Sequence, residues 1–348
     1  MKYLRYLLVF VPLTLIGYFA HWSSSVVFFM SALAIVPLAG YLGQATEEIA
    51  VYSGPKLGGF LNATFGNATE MIIGFFALKA GMFDVVKASL VGSVLGNILL
   101  VLGMSIFIGG LRHKELVFDA QLGNFTATML LLAVTGLCLP AVFTYSIPDT
   151  LVSSQYESLS VIVGAIMLVM YVVGMVYSFR TQKDLYGVEH AEDVETEHGL
   201  AFNIAMLAVA TVLIAVMSEM LVDSIEPMTA AIGLPEMFVG LILIPIVGNA
   251  AEHSTAVIMA LKNKMDISIE IAVGSSLQIA MFVIPLMVLL SLFFTPMSII
   301  FKPIELFIFG ASVLIANMVV ASGKTNWMEG LKLMSIYVMV AVGFCVIV

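Results

Sequence analysis

Long apolar runs separated by short polar or Pro/Gly-containing joins dominate the hydropathy pattern of the chain. A helix needs about 20 apolar residues to cross a bilayer. By that measure the pattern predicts eleven membrane-spanning helices, at residues 4–20, 24–43, 56–79, 86–110, 120–144, 157–180, 200–222, 236–261, 267–294, 303–321 and 328–348. Joins such as Ser53-Gly54-Pro55 contain turn-forming residues. We therefore expect an all-α polytopic membrane protein.

Composition supports this fold class. Of the 348 residues, 61% are hydrophobic and 11% are charged, whereas a soluble domain carries about 25% charged residues. The run Tyr6–Ala20 follows Lys2 and Arg5 and imitates a signal peptide, but no small-residue cleavage pattern follows it, so we interpret it as a first helix. Cys138 and Cys345 lie far apart in apolar segments and predict no disulfide framework. No basic patch indicates a nucleic-acid partner.

The distribution of Lys and Arg predicts the orientation in the membrane, because these residues are enriched in cytoplasmic loops. With the N-terminus inside, only Lys79, Lys87 and Lys302 fall near the outer face. Eleven fall near the inner one: Lys2, Arg5, Lys56, Arg112, Lys114, Arg180, Lys183, Lys262, Lys264, Lys324 and Lys332. The C-terminus then lies outside. We expect an integral protein of a prokaryotic plasma membrane.

The sequence contains an internal repeat. Gly66-Asn67-Ala68-Thr69-Glu70 corresponds to Gly248-Asn249-Ala250-Ala251-Glu252 at an offset of 182 residues, and Gly92-Ser93-Val94-Leu95 corresponds to Gly274-Ser275-Ser276-Leu277 at the same offset. The repeat predicts four parts: an extra N-terminal helix (1–22), a first five-helix repeat (23–180), an acidic cytoplasmic linker (181–199) and a second five-helix repeat (200–348). Five is odd, so the second repeat enters the membrane from the opposite side. Inverted repeats are typical of secondary transporters, which bind substrate near the midplane.

The repeated motif places carboxylates and amides in apolar surroundings. Interpreted as helix, Asn67 and Glu70 share one face, and Asn249 and Glu252 do the same. A charge at membrane depth is costly and indicates function. Two carboxylates and two amides offer the oxygen ligands that hard cations such as calcium prefer, and two glutamates balance one divalent charge. No Cys or paired His accompanies them, which argues against zinc or copper.

Small residues and proline flank these half-sites. Gly66 and Gly248 remove side chains where helices approach or where the backbone bends. Pro245 is expected to free the carbonyl of Leu241 from its intrahelical bond. Carbonyls freed at membrane depth are tolerated where they line a cavity, and there they can bind a cation.

A second pair of helices offers neutral groups, Ser93, Asn97, Ser275 and Gln278. They either complete the coordination or hydrogen-bond the glutamates. The alternative is structural: amides often bond between helices and serines allow close packing. His253 follows Glu252 and is either its hydrogen-bond partner or a second proton carrier.

For the glutamates the structural alternative is a salt bridge, yet no Lys or Arg lies near membrane depth and we identify no third acid there. The acidic linker is either merely solvated, or it collects cations or regulates transport. Its acids are Asp184, Glu189, Glu192, Asp193, Glu195 and Glu197.

These motifs, followed by Ala77-Leu78-Lys79 and by Ala260-Leu261-Lys262, resemble the two signature regions of calcium/proton exchangers, in the calcium/cation antiporter superfamily. The resemblance covers essentially the whole chain. It implies a calcium site built from Glu70, Glu252, Asn67 and Asn249, with the glutamates releasing calcium when protonated. It also implies supporting roles for Gln278 and His253. Asn97 departs from the inner symmetry, because Gln278 aligns with Gly96.

The expected function is export of Ca²⁺ from the cytoplasm in exchange for H⁺, with no catalytic residue and no cofactor. Ca²⁺ is the transported substrate, and the other expected partners are H⁺, the lipid bilayer and, as an open alternative, further copies of the chain. Sodium-coupled relatives tend to carry an extra acid in the second helix of a repeat, where this chain has Asn97 and Gln278. Sodium/calcium exchange is the alternative in the same class, and a cation channel is the alternative in another. No Ser or Cys with a plausible base supports an intramembrane enzyme.

Overall fold

The computed structural model describes residues 4–146, 153–181 and 198–346. A 3-10 turn at Leu4–Val9 precedes the first helix. The α-helices are α1 (Phe10–Phe19), α2 (Ser24–Ser53), α3 (Pro55–Phe65), α4 (Ala68–Lys79), α5 (Phe83–Leu95), α6 (Leu102–His113), α7 (Ala120–Ser146), α8 (Ser153–Thr181), α9 (Leu200–Asp223), α10 (Ile225–Ile232), α11 (Glu236–Phe238), α12 (Ile244–Gly248), α13 (Ala250–Leu261), α14 (Met265–Ile269), α15 (Ser275–Gln278), α16 (Ile284–Ser291), α17 (Pro303–Val320) and α18 (Trp327–Val346). Four π-helical segments join some of them: Gly96–Val101, Val239–Leu243, Glu270–Gly274 and Ile279–Val283. Two short strands are β1 (Leu116–Val117) and β2 (Lys324–Thr325).

Within the described residues, eight helices are long and apolar enough to cross a membrane: Ser24–Ser53, Phe83–His113, Gly123–Tyr145, Gln155–Tyr177, Leu200–Asp223, Met265–Ser291, Pro303–Val320 and Trp327–Val346. They correspond to eight of the predicted runs. The prediction of an all-α polytopic membrane protein is therefore confirmed. Strands β1 and β2 add only a small antiparallel ribbon, in which Leu116 pairs with Thr325 and Val117 with Lys324.

The other three predicted runs are helical but shorter or interrupted. The first is the apolar helix Leu4–Phe19. The run at 56–79 divides into α3 and α4, and the run at 236–261 divides into α11, α12 and α13. Helix α10 and the segment Glu236–Gly248 meet at a bend of 119°. Both divided runs contain the repeated Gly-Asn pair, which has low helix propensity.

The chain forms two compact units. The first consists of Met1–Ser89, Ser178–Glu252 and Phe344–Val348. Within it, α2 packs along α9 and also contacts α1, α3, α10 and α12, while α4 packs on α9. Helix α2 buries Phe28, Ile35 and Leu42. Their seven-residue spacing places them on one side of the helix, which is the side that a packed neighbour covers.

The second unit consists of Leu90–Tyr177 and His253–Gly343. Helix α7 packs on α17, and the Asn317 side chain donates a hydrogen bond to the carbonyl oxygen of Ala127 at 3.0 Å. Helices α6 and α18 approach closely at two glycines, because a Cβ atom added to Gly103 would lie 3.0 Å from the Gly330 oxygen. Small residues permit this approach in membrane proteins.

Each unit draws helices from both predicted repeats. The repeat boundaries at 23–180 and 200–348, and the extra helix at 1–22, describe sequence similarity and stay predictions. Residues 182–197 of the acidic linker lie outside the described residues. All six of its acids fall in this range, and their predicted roles stay predictions.

Candidate functional site

The first half-site is a break between two helices. Helix α3 ends at Phe65, Gly66 and Asn67 form a turn, and α4 begins at Ala68. Asn67 has φ −104° and ψ 26°, outside the helical region. The prediction of one continuous helix over residues 56–79 is therefore wrong at Gly66 and Asn67. Asn67 instead occupies the N-cap position of α4, where asparagine is favoured.

The second half-site repeats this geometry. Helix α12 ends at Gly248, Asn249 has φ −98° and ψ 7°, and α13 begins at Ala250. The two asparagines thus adopt nearly the same sparsely populated backbone conformation, which is common at active sites. The shared sequence Gly-Asn-Ala-x-Glu produces the same break twice.

A π-helical segment and a proline precede the second break. The segment Val239–Leu243 ends just before α12, which has Pro245 in its first turn. Proline cannot donate the helical hydrogen bond, and a wider π turn relieves the local mismatch. The predicted release of the Leu241 carbonyl for a cation stays a prediction.

Asn249 is held in one orientation. Its backbone nitrogen and its side-chain Nδ2 each donate to the carbonyl oxygen of Pro245, both at 3.0 Å. Because Nδ2 points toward α12, the carboxamide oxygen Oδ1 points away from it. Asn67 and Asn249 are both buried, with 1% of each residue exposed. The second break therefore presents an oriented amide oxygen inside the protein.

Each glutamate occupies the first turn of the helix that follows its break. Glu70 is in the first turn of α4 and is buried, and Glu252 is in the first turn of α13 and is half-buried. The positive end of a helix dipole stabilises a carboxylate at this position. Among the residues that the structure describes, no basic side chain forms an ion pair with Glu70. For this glutamate the salt-bridge alternative is excluded within that part of the chain.

The two half-sites meet at Glu70 and Gly248. Helices α4 and α12 are in contact, and a Cβ atom added to Gly248 would lie 3.1 Å from Oε1 of Glu70. The carboxylate of the first half-site therefore packs against the break of the second. Gly248 leaves the room that this carboxylate occupies.

The neutral residues of the predicted site all lie in the second unit. Nδ2 of Asn97 donates to Oγ of Ser275 at 3.3 Å, and both residues are buried. Ser93 is buried and Gln278 is half-buried. Asn97 lies in the π segment Gly96–Val101, and Gln278 directly precedes the π segment Ile279–Val283. This hydrogen bond links α15 of the second repeat to the π segment Gly96–Val101 of the first, and π segments often occur at functional sites.

His253 is buried in α13, one residue after Glu252. Its role as a proton carrier or as a partner of Glu252 stays a prediction.

Glu48 and Glu270 are acids inside membrane helices that were not recognised in the sequence. Glu48 is buried in α2, which extends to Ser53 rather than ending at 43. Its carboxylate accepts hydrogen bonds from Nε2 of Gln44 at 3.1 Å, the His198 backbone at 3.0 Å and Nδ2 of Asn203 at 2.9 Å. The available signal was that helix-favouring residues such as Gln44, Ala45 and Glu47 follow residue 43 without a break.

The second acid, Glu270, begins a π segment inside the helix Met265–Ser291. It lies five residues after the start of a helix that is long and apolar enough to cross a membrane, and the expectation that no third acid lies at membrane depth stays a prediction. It also weakens the sequence argument against sodium coupling, because it lies in the second helix of a repeat. Its spacing of four residues from Asp266 was the available signal.

Comparison with known proteins identifies the family. The family model described as sodium/calcium exchanger protein matches residues 23–180 and 202–346. A Ca²⁺/H⁺ antiporter from Aphanothece halophytica is 42% identical over 354 residues, which cover 97% of this chain and 95% of the relative. The Ca²⁺/H⁺ antiporter ChaA of Bacillus subtilis is 42% identical over 341 residues, which cover 96% of each chain.

A solved structure agrees with these relatives. The structure of native YfkE superposes with a TM-score of 0.86 at 39% identity, covering 99% of this chain and 100% of that one. The resemblance to calcium/proton exchangers is thus confirmed, and the relatives are named as transporters rather than enzymes. The chain belongs to the sodium/calcium exchanger protein family.

Proposed function

We propose that the chain is a secondary antiporter that exchanges Ca²⁺ for H⁺, and that Glu70 and Glu252 hold the ion and the protons in turn. The observation that carries the proposal is the pair of matching helix breaks, each with a buried asparagine followed three residues later by a glutamate. Broken helices in matching positions of two repeats are the usual location of a transporter's ion site. The names of the relatives support calcium and protons as the ions.

The ligands of the ion would be oxygens. Glu70 and Glu252 supply carboxylates, whose two negative charges offset the charge of one Ca²⁺. Asn67 and Asn249 supply amide oxygens, and the bond from Nδ2 of Asn249 to Pro245 leaves the amide oxygen facing away from α12. Calcium takes six to eight oxygens in flexible geometry, so water or carbonyls at the helix ends complete the set.

Protons would displace calcium by removing negative charge. A protonated carboxyl no longer balances a divalent ion, and a bound divalent ion disfavours protonation of the same carboxylate. Calcium and protons therefore exclude each other at Glu70 and Glu252. Imidazole titrates near physiological pH, and we propose that His253, next to Glu252, holds a further proton.

The supporting residues would position the helices. Gly66 permits the first break, and Gly248 makes room for the Glu70 carboxylate. In the second unit, Ser93, Asn97, Ser275 and Gln278 would keep two transport helices in register, as the bond between Asn97 and Ser275 indicates.

The direction of transport follows from the predicted orientation. With the Lys- and Arg-rich loops and the N-terminus in the cytoplasm of a prokaryote, an inward proton gradient would drive calcium out. Sodium/calcium exchange is the second candidate, because the family description includes it and Glu270 supplies a third membrane acid. A cation channel would not move calcium against its gradient.

Flux measurements in proteoliposomes test the proposal. Purified protein is reconstituted, a pH gradient is imposed without sodium, and calcium accumulation is recorded with a calcium-sensitive dye. We expect accumulation against the calcium gradient, collapsed by a protonophore. Transport that requires a sodium gradient would establish sodium exchange instead, and purely downhill flux would establish a channel.

A further inference from the structure

The helix Met265–Ser291 carries a stripe of accessible positions along one side. Asp266, Glu270, Gly274, Gln278 and Phe282 are all half-buried and recur every four residues. Between residues 272 and 283, all the residues outside this stripe are buried. The stripe begins at the N-terminal end of this helix, directly after Lys264, and continues into the membrane span.

The alternation of α and π turns keeps this stripe straight. In an α-helix a four-residue step overshoots one turn by roughly 40°, so the positions would drift around the helix. A π turn holds more residues, so the same step undershoots. Along this helix, α14 and α15 alternate with the π segments Glu270–Gly274 and Ile279–Val283. The excess rotation in the α turns and the missing rotation in the π turns therefore offset each other, and the stripe stays on one side of the helix.

The chemistry of the stripe indicates contact with water rather than lipid. Its first four positions are two carboxylates, a glycine and a carboxamide. Polar and ionisable side chains within a span almost always face the protein interior or a water-filled cavity. Ile267 and Ile271 lie beside Asp266 and Glu270. The stripe is therefore the hydrophilic face at this end of the helix.

Local contacts define the two ends of the stripe and its middle. At the start, Asp266 Oδ1 accepts a hydrogen bond from the Asp119 backbone at 2.7 Å. In the middle, a Cβ atom added to Gly274 would lie in ordinary van der Waals contact with Cγ of Glu270, at 3.7 Å, so a small side chain fits there beside Glu270. At the far end, the ring of Phe282 stacks on Tyr171 with centroids 5.6 Å apart. Between the tethered Asp266 and this aromatic pair, Glu270 is the charged group.

We propose that Glu270 lines a water-filled path along this stripe and attracts the transported divalent cation into it, between the Asp266 end of the helix and Gln278. The role rests on the proposed calcium/proton exchange. A carboxylate within a span lowers the energy of a cation in the same water-filled path, because the low dielectric of the surroundings strengthens their attraction. The predicted orientation places this opening on the cytoplasmic side.

Side-specific labelling tests the path without relying on transport. In a background with Cys138→Ala and Cys345→Ala, Gly274→Cys is compared with Gly92→Cys, the matched position of the first repeat, which is buried. A charged, membrane-impermeant thiol reagent is applied to one side at a time. We expect Gly274→Cys to react at least about tenfold faster than Gly92→Cys, and only from the cytoplasmic side. Equal rates, or no reaction of Gly274→Cys from that side, would overturn the proposal.

Transport tests the charge. Glu270→Gln should raise the cytoplasmic calcium concentration for half-maximal transport by about tenfold, with little change in the maximal rate. Glu270→Asp keeps the charge, so its half-saturating concentration should stay close to that of the wild type. Asp84→Asn, an exposed acid that is paired with Lys87 and matches Asp266 in the repeat, should change neither value. If the wild type is active and Glu270→Gln leaves the half-saturating concentration unchanged, the role of Glu270 is wrong, while the proposed calcium/proton exchange is unaffected. A wild type that moves no calcium defeats the proposed function and the calcium role of Glu270, while the labelling still decides whether the path holds water.

Discussion

The two repeats differ most where their second helices should match. In the first repeat, every residue from Ala88 to Leu99 is buried. In the second, the equivalent stretch 270–281 leaves Glu270, Ile271, Gly274 and Gln278 half-buried. The breaks at Asn67 and Asn249 are nearly identical in backbone angles. The repeats therefore share the geometry of the breaks at which we propose that the ion binds, but they differ in side-chain exposure along these helices.

One residue explains part of this difference. Ala88 stands where the second repeat has Glu270, and a Cβ atom added to Gly240 would lie 2.9 Å from the Cβ of Ala88. The helix of the first repeat is thus packed tightly against a glycine at this level. A transporter that opens to one side at a time needs such an inequality between its halves.

The largest effect should follow removal of either glutamate that the repeats share. Glu70→Gln and Glu252→Gln keep the shape of the side chain but remove a charge and a titratable group. The remaining ligands cannot replace the hydration of a divalent ion with one compensating charge. Calcium flux in proteoliposomes should fall to the background of empty vesicles for each variant.

Neutral ligands provide the matched control. Asn67→Ala and Asn249→Ala should slow transport without ending it, because water can replace an amide oxygen. Near-normal exchange by either correctly folded Gln variant would show that its glutamate is not an essential ligand.

A reciprocal exchange at the unequal position should sharpen the comparison between the second helices. Ala88→Glu places a longer, charged side chain in the packed contact with Gly240 and should cost about 3 kcal/mol or more. Glu270→Ala removes a half-buried side chain and should cost less than about 1 kcal/mol. Thermal unfolding in detergent should show a melting temperature several degrees lower for Ala88→Glu only. Equal melting temperatures would mean that the two helices are not packed differently.

A smaller effect is expected at the contact between the half-sites. Gly248→Ala would bring a methyl group to 3.1 Å from Oε1 of Glu70, so the carboxylate must shift. We expect the half-saturating calcium concentration to rise roughly threefold to tenfold, with folding preserved because the carboxylate end is flexible. Gly43→Ala is the control, since a Cβ there meets nothing within 4 Å. Identical kinetics for both variants would remove Gly248 from the site.

The smallest effect should come from the hydrogen bond between the repeats. Asn97→Ala and Ser275→Ala each remove the 3.3 Å contact. Hydrogen bonds between membrane helices contribute about 0.6 kcal/mol on average. A double-mutant cycle on unfolding should give a coupling energy of that size, and additive effects would show that this bond does not couple the helices.

The sequence was sufficient for the fold class and for the residues at both breaks, because apolar runs and a repeated polar motif are local signals. It allowed a backbone bend at Gly66 and Gly248 as one alternative, but it did not predict that the helices end there. The runs around Gly66 and Gly248 are apolar on both sides, so they were interpreted as continuous helices. Glu48 was missed because the predicted span ended at 43, whereas α2 continues to Ser53. Glu270 was missed because its accessibility depends on π turns and packing, which hydropathy does not encode.

Proton release on calcium binding tests most directly whether the two glutamates hold calcium and protons in turn. Purified protein in weakly buffered detergent solution is titrated with calcium while a pH-sensitive dye records released protons. The proposal predicts release on calcium binding that diminishes as the starting pH rises and the glutamates are already ionised. Glu70→Gln and Glu252→Gln should abolish it. Calcium binding without proton release at any pH, or release that survives in both variants, would contradict the proposed exchange at these residues.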